Sequence, residues 1–434
     1  MSKTPLAGEL VIQPVVNRMN ESTLAAPQDI QKTGIRKGLL EDLALKILYL
    51  RGEMSLVELG EHMGLSLGVI EEIFQFFRKE QLCEVKGMTA GSHRIVASAQ
   101  GKLRAADLLS ISQYVGTVPV SLSEYATWVK IQSVQAPSIT QADLRRAFQQ
   151  LVLSDEVLSQ LGTAVFSGTS IFLYGPPGTG KTTIASYIPD IYNDEIWIPY
   201  AVEVDNQIIS VYDPGVHKKV EVPAREEFDK RWARCKRPRV FAGGELTGEM
   251  LDLQFNANSK YFTAPLQMKA NNGVLVLDDF GRQRIRPEEL LNRWMTPLDR
   301  RLDFLTLPGG RKFEVPFDLF VVFSTNLDPK QLADEAFLRR ISNKIKITHA
   351  TPEQFLEIFQ LECWSRFLPY DEGLPGHVAK YITEVVKQPL AHCYARDLIN
   401  QIFWAAAYQG MPARLTRETL EEACRNYFLS TDKN

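Results

Sequence analysis

Residues 171–182 read Ile171-Phe172-Leu173-Tyr174-Gly175-Pro176-Pro177-Gly178-Thr179-Gly180-Lys181-Thr182, an apolar run leading into a glycine-rich turn that ends in Lys-Thr. A turn of this kind lets successive backbone N–H groups converge on phosphate oxygens. Lys181 adds a point charge there, and the Thr182 hydroxyl is a ligand for Mg2+. The residues that follow, Thr183-Ile184-Ala185-Ser186-Tyr187, read as a helix whose dipole faces the same anion. The stretch is a P-loop by pattern and predicts a strand, a phosphate cradle and a helix in that order. The alternative is a glycine-rich turn with no nucleotide, and the strand before and helix after it weigh against that.

The rest of the chain sets the frame for this site. Its 434 residues are enough for two or three domains, each with its own core. The 49 basic and 52 acidic residues nearly cancel, so a nucleic-acid or anionic-membrane role has to come from a local patch. The five cysteines, Cys83, Cys235, Cys363, Cys393 and Cys424, form no C-x-x-C pair. That fits reduced thiols in a cytoplasm and neither a disulfide scaffold nor a zinc ribbon. The first 30 residues mix Glu9, Arg18 and Asp29 with short apolar stretches, which argues against a membrane span and a signal peptide.

Residues 1–32 are polar with no lasting periodicity and are expected to be a flexible tail. From Gly38 the leucines and isoleucines of 39–50 mark a helix, Ser55 caps a second, and Ile70, Ile73, Phe74 and Phe77 mark a third. Two short strands near 82–85 and 94–97 and a helix over 101–109 follow. Helix, helix, turn, helix, hairpin resembles a winged helix. Glu71 and Glu72 stand where a DNA-reading helix would begin, and their charges repel phosphate, so protein docking is favoured over DNA reading without excluding it. Residues 113–137, with Pro119 and Pro137, suit a tether. Further on, residues 200–204 and 207–212 alternate around Asp205-Asn206 as a hairpin. Lys230, Arg231, Arg234, Lys236, Arg237 and Arg239 then place six basic residues in ten, either as a solvated or intersubunit surface or as a contact for nucleic acid.

Val274-Leu275-Val276-Leu277 is an uninterrupted apolar strand that ends in Asp278-Asp279. Such a run suits a parallel sheet covered on both faces, and its carboxyl end is where ligands bind in open α/β sheets. Asp278 is then the Mg2+ partner and Asp279 the water-orienting base. Residues 319–326 form a second such strand with Asn326 at its tip, able to hold the attacking water or touch the γ-phosphate; a capping role toward Asp328-Pro329 is the alternative. Before it, residues 301–307 and 311–315 flank Pro308-Gly309-Gly310 as a hairpin. Residues 332–340 read as one helix that presents Arg339 and Arg340 at its end, placed to reach a neighbouring subunit's γ-phosphate. From Thr351 the chain reads as helical, and Arg396 opens one helix of a compact lid, turned toward the phosphates.

Residues 138–434 resemble an AAA+ ATPase. GPPGTGKT looks like its Walker A, VLVLDD its Walker B, STN its sensor 1, LRR its arginine-finger region, and Ala395-Arg396-Asp397-Leu398 its sensor 2. Arg340 best matches the finger and Arg339 is second. The hairpin before sensor 1, together with Ala270-Asn271-Asn272-Gly273, is similar to the pre-sensor-1 hairpin branch that includes MoxR-like chaperone ATPases. One position departs from the usual pattern: Asp279 stands where most of the family carries Glu, a carboxylate shorter by a methylene, which implies slow hydrolysis. The resemblance implies an α/β fold, a P-loop AAA+ parallel-sheet domain (138–348) with a C-terminal helical lid (349–434), preceded by a winged helix (33–112) and a linker (113–137). It implies ATP and Mg2+ as cofactors. Gly175, Pro176, Pro177, Gly178, Thr179, Gly180, Lys181, Thr182, Thr183 and Arg396 hold the nucleotide, Thr182 and Asp278 hold the metal, and Lys181, Asp279, Asn326, Arg339 and Arg340 carry the chemistry. It further implies a homo-oligomeric ring, of six subunits, that hydrolyses ATP to remodel a protein partner docked on the winged helix. A DNA-acting loader or regulator using residues 33–112 or 230–239, and an ATP-binding switch with negligible turnover, are the rival readings.

Overall fold

A computed structural model describes residues 24–135, 139–223, 227–332, 335–371 and 373–428. The first unit is built by three helices whose apolar residues recur at helical spacing. Helix α1 (Lys37–Arg51) buries Leu40, Leu43, Ala44, Ile47 and Leu48. Strand β1 (Met54–Ser55) runs into α2 (Leu56–Met63), where Ser55 and Glu58 cap each other's backbone N–H groups at 3.1 and 2.6 Å. Helix α3 (Leu67–Lys79) buries Val69, Ile70, Ile73, Phe74 and Phe77. Strands β2 (Cys83–Thr89) and β3 (Ser92–Ala97) form a hairpin, α4 (Ala99–Ile111) follows, and the three strands pair in the order β1-β3-β2.

Two expectations are corrected here. Of the stretch expected as a tail, residues 1–23 lie outside the described residues, but Leu24 and Ile30 are buried and the Leu24 carbonyl accepts from Asp229 N at 2.7 Å. The expected tether is structured. Strand β4 (Val120–Ser121) and α5 (Leu122–Ile131) occupy it, with Val118, Val120, Tyr125 and Val129 buried; Pro137 lies outside the described residues. Ser121 caps α5 by accepting from Glu124 N at 3.2 Å. Leu122, Tyr125 and Val129 are spaced for one helical face, a signal that neighbouring small and polar residues hide.

The chain continues through α6 (Gln141–Ala147), α7 (Asp155–Ser167), β5 (Ile171–Tyr174) and α8 (Lys181–Tyr187). Five strands come next: β6 (Glu195–Pro199), β7 (Ala201–Val204), β8 (Gln207–Ser210), β9 (Trp232–Lys236) and β10 (Arg239–Ala242). After β11 (Gln254–Asn256), β12 (Tyr261–Thr263) and α9 (Leu266–Lys269), β13 (Val274–Leu277) ends at the two aspartates. Then come α10 (Pro287–Arg300), the hairpin β14 (Leu302–Thr306) and β15 (Lys312–Pro316), and β16 (Phe320–Thr325). Short helices α11 (Pro329–Leu332) and α12 (Glu335–Leu338) lead to β17 (Asn343–Lys346).

These strands make a five-stranded sheet in the order β10-β13-β16-β5-β17, with every neighbouring pair parallel. Alternate residues feed opposite faces: Leu275, Leu277, Val321 and Phe323 join one core, while Val274, Val276, Phe320 and Val322 join the other. The phosphate-loop strand β5 thus has β16 on one side and β17 on the other. A second sheet, β11-β12-β8-β7-β4, includes the expected hairpin across Asp205-Asn206 and packs Ala201, Ile208 and Tyr261 against the first unit's core.

Of the basic cluster at 230–239, Arg231 and Arg237 are buried, Arg234 and Arg239 are partly covered, and Lys230 and Lys236 are exposed. Arg231 is 1 % exposed. It donates to Asp229 (2.7 Å), to Glu124 (3.0 Å) and to the Thr33 carbonyl (2.8 Å). Arg237 is buried against Asp194, and Arg234 and Arg239 pair with Glu195 and Asp190. These arginines cross-link segments distant in sequence, so neither expectation, a solvated or intersubunit surface or a contact for nucleic acid, describes the buried Arg231 and Arg237.

The C-terminal region is helical: α13 (Pro352–Ser365), α14 (Gly373–Lys380), α15 (Cys393–Tyr408) and α16 (Arg417–Tyr427), around Phe355, Phe359, Leu398, Ile399 and Leu420. Among the described residues no helix is long and apolar enough to cross a membrane.

Candidate functional site

The loop after β5 needs its glycines. Gly175 has φ +146°, and a Cβ there would lie 2.1 Å from the Ile347 carbonyl oxygen. Gly178 has φ +75°, with the Cys393 sulfur 2.9 Å from where a Cβ would stand. The turn can therefore pass close under the lid and deliver Lys181 as the first residue of α8. Lys181 is buried and its Nζ donates to the Pro176 carbonyl at 2.7 Å. Burial pushes its ammonium below the usual lysine range, while Asp279 and Asp278 pull the other way.

Thr182 Oγ1 donates to Asp278 Oδ1 at 3.0 Å, joining the start of α8 to the end of β13. A hydroxyl and a carboxylate this close are hard oxygen donors of the kind Mg2+ takes when phosphates complete its shell. These residues fit that ion. Beside them, Asn326 Nδ2 donates to Asp279 Oδ1 at 3.2 Å. Backbone bonds hold this edge together: Asp278 N to Ala242 O at 2.9 Å and Phe280 N to Ser324 O at 2.7 Å. Asp279 itself has φ +47°.

Around these groups lies a cleft of about 920 Å3. It brings together Pro177, Gly178, Thr179, Gly180, Lys181, Thr182 and Thr183 with Asp279, Asn326 and Arg396. Asp278 adjoins it through Thr182. Arg339 and Arg340 do not line it. Residues 333 and 334 lie outside the described residues, and the helix expected to run to 340 ends sooner: α12 stops at Leu338, and both arginines follow it in a turn. Arg340 Nε donates to Asp299 Oδ2 at 2.6 Å.

Several lining residues carry no motif. Gln149, Gln150, Leu151, Val152 and Leu153 form one wall, and Ile358, Leu361, Glu362, Trp364 and Ser365 of α13 form another, so this part of the cleft mixes apolar and polar groups. Tyr187 fixes Gln150 by a 2.9 Å hydrogen bond. The lid also touches the loop directly. His392 Nδ1 donates to the Thr179 carbonyl at 2.6 Å, and Cys393 N donates to the Gly178 carbonyl at 3.1 Å. Burial holds the His392 imidazole below its ordinary pKa, although the bond to Thr179 opposes this. A lone His beside Cys carries no sequence signal; only the fold reveals these contacts.

Comparison with known proteins adds the following. A family model described as "Domain of unknown function (DUF8689)" matches residues 351–426, most of the helical lid. No curated protein matches the sequence. Among solved structures, a mutant of RuvB from Thermotoga maritima is similar at 12 % identity and a TM-score of 0.36, over 68 % of this chain and 72 % of that one. NtrX from Brucella abortus in complex with ADP is similar at 14 % identity and a TM-score of 0.37, over 64 % of this chain and 56 % of that one. The protein has a mixed α/β fold whose parallel sheet carries a glycine-rich loop, two aspartates and an asparagine on one edge, roofed by a helical C-terminal region.

Proposed function

We propose that this chain is an AAA+ ATPase that binds ATP with Mg2+ and hydrolyses it. We further propose that it works as a ring, of six subunits, that remodels a protein partner. The observation that carries the reading is the single cleft shared by the 177–183 loop, Asp279, Asn326 and Arg396, with Thr182 and Asp278 paired at 3.0 Å on its wall. Lys181 and the loop N–H groups hold the β- and γ-phosphates. Thr182 and Asp278 would hold Mg2+, which when bound neutralises charge on those phosphates. Asp279 orients the attacking water and accepts its proton, and Asn326, hydrogen-bonded to Asp279, fixes that carboxylate. Arg396 reaches the phosphates from the lid. Arg340, with Arg339 beside it, lies outside the chain's own cleft and serves a neighbour's, so each site is finished by the next subunit.

The unit at 33–112 is read as a winged helix that docks protein. The start of α3, where a DNA-reading helix would enter a groove, is occupied by the chain itself. Ser66 Oγ donates to the Pro27 carbonyl at 2.9 Å, and a Cβ on Gly64 would meet Thr117 at 2.8 Å and the Lys230 backbone at 3.0 Å. Glu71 and Glu72 on its exposed face also repel phosphate.

Equilibrium nucleotide binding and phosphate release test the proposal. Lys181→Ala abolishes binding, whereas Asp279→Asn retains ATP and stabilises the assembly; a monomeric, fully active Asp279→Asn protein would overturn it. Steeply salt-dependent binding to duplex DNA would return the DNA-acting reading to first place.

A further inference from the structure

Asp397 follows Arg396 on α15, and both of its carboxylate oxygens are engaged. Oδ1 accepts from Arg396 Nε at 3.0 Å, and Oδ2 accepts from the Tyr427 hydroxyl at 2.9 Å. Tyr427 closes α16 and is clamped by aromatic neighbours: its ring lies 5.7 Å from that of Tyr394 and 5.0 Å from that of Phe428, both edge-on. Rotating the carboxylate to follow a wandering guanidinium would break the bond to Tyr427. The carboxylate is therefore a fixed acceptor, anchored by a second helix.

Arg396 needs such an anchor. Its side chain is 54 % exposed on the wall of the cleft, and a free arginine stem samples many rotamers. A hydrogen bond through Nε takes the inner edge of the guanidinium and leaves the two terminal amino groups for other acceptors. A charge-assisted bond of this kind fixes direction as well as distance.

We infer that Asp397, oriented by Tyr427, is the positioning residue for Arg396, so that α16 sets the direction from which the arginine meets the nucleotide's phosphates. This rests on the nucleotide reading of the cleft. It brings a helix that does not line the cleft into the control of turnover, gives the aspartate beside Arg396 a task of its own, and assigns one to a tyrosine that no motif marks.

The test is a mutant cycle on the full chain, reading steady-state phosphate release and the affinity of a fluorescent ADP. Tyr427→Phe keeps the ring packing and removes only the hydroxyl. It should lower kcat by about three- to tenfold, in the range of coupled neighbouring groups, with ADP affinity changed by no more than about twofold. Asp397→Asn, which also weakens the bond to Arg396, should lower kcat further in the same direction. In an Arg396→Ala background neither substitution should lower kcat again. Effects that multiply with Arg396→Ala, or wild-type kcat in Tyr427→Phe, overturn the positioning role. So does a loss of kcat matched by an equal loss of ADP affinity, which is what a loosened lid gives. Absence of phosphate release from the wild-type chain overturns the ATPase reading itself and this role with it, whereas wild-type release with an additive cycle overturns the positioning role alone.

Discussion

Asp279 has a left-handed backbone, φ +47°, and that conformation accounts for the aspartate found there. The Cβ of any L-residue crowds the following carbonyl in this region, and Asp and Asn bear it best because their short polar side chains can hydrogen-bond to the local backbone. The position at which the AAA+ pattern usually carries Glu is therefore constrained by the backbone as well as by chemistry. Asp279→Glu should lower stability by about 1 kcal/mol, measured by urea denaturation, without raising the rate of phosphate release; an equally stable, faster enzyme would show that the backbone places no such limit. A second prediction at this scale concerns pH. Burial holds His217 and His392 below their ordinary pKa of 6.5, so the unfolded chain takes up protons that the native state resists. Stability is then level above about pH 6.5 and falls as pH drops below it. His217→Gln and His392→Gln should each flatten that fall in urea midpoints measured across the window, and an unchanged slope would remove the residue from the account. The motif residues of this site were legible because phosphate chemistry restricts residue type and spacing together. His392 and Gln149–Leu153 were not, because a lone imidazole or an apolar turn looks alike in a core and in a cleft.

Among the elements, α5 and the arginines of β9 and its flanks departed most from the reading of the sequence. A count of charges finds a basic patch at 230–239 but does not see Asp229, Glu124, Asp194, Glu195 and Asp190 arriving from other segments to meet it. Arg231 is the centre of one such meeting, joining α5, the Asp229 turn and the Thr33 carbonyl. Removing one partner of a buried ion pair leaves the others desolvated, at a cost of about 3–5 kcal/mol. Arg231→Ala should therefore lower the chemical-denaturation midpoint sharply, and a loss of under about 1 kcal/mol, the scale of a surface pair, would mean that the group is solvated. Three strands of the central sheet, β5, β13 and β16, were by contrast legible almost to the residue, whereas β10 and β17 were not read as strands. The runs of β5, β13 and β16 are apolar on both faces, as a covered parallel sheet requires, while β10 and β17 mix exposed with buried positions and so carry no such signal.

For the molecule as a whole, two segments expected as connections take part in the packing: β4 and α5 of the expected tether, and Leu24 and Ile30 at the end of the expected tail, are buried against other elements. The arrangement of arginines yields a prediction at this scale. Because Arg340 lies outside its own cleft, Arg340→Ala should leave ATP affinity nearly intact while removing turnover, and mixing it with Lys181→Ala subunits should restore some phosphate release through sites completed by one protein of each kind. Undiminished hydrolysis by Arg340→Ala would place the finger elsewhere.

The pairing of β4 with β7, Val120 opposite Val202, also bears on how the chain is made. The first unit borrows Ala201, Ile208 and Tyr261 for its core, and all three lie beyond the phosphate loop in sequence. A ribosome adds roughly 5–20 residues per second, so the N-terminal helices leave the exit tunnel on the order of seconds before the strands that finish their packing. During that interval the apolar face around Val118 and Val120 has no native cover. The nascent chain is then open to proteases and chaperones, and the N-terminal unit completes its core only after the glycine-rich loop has been synthesised.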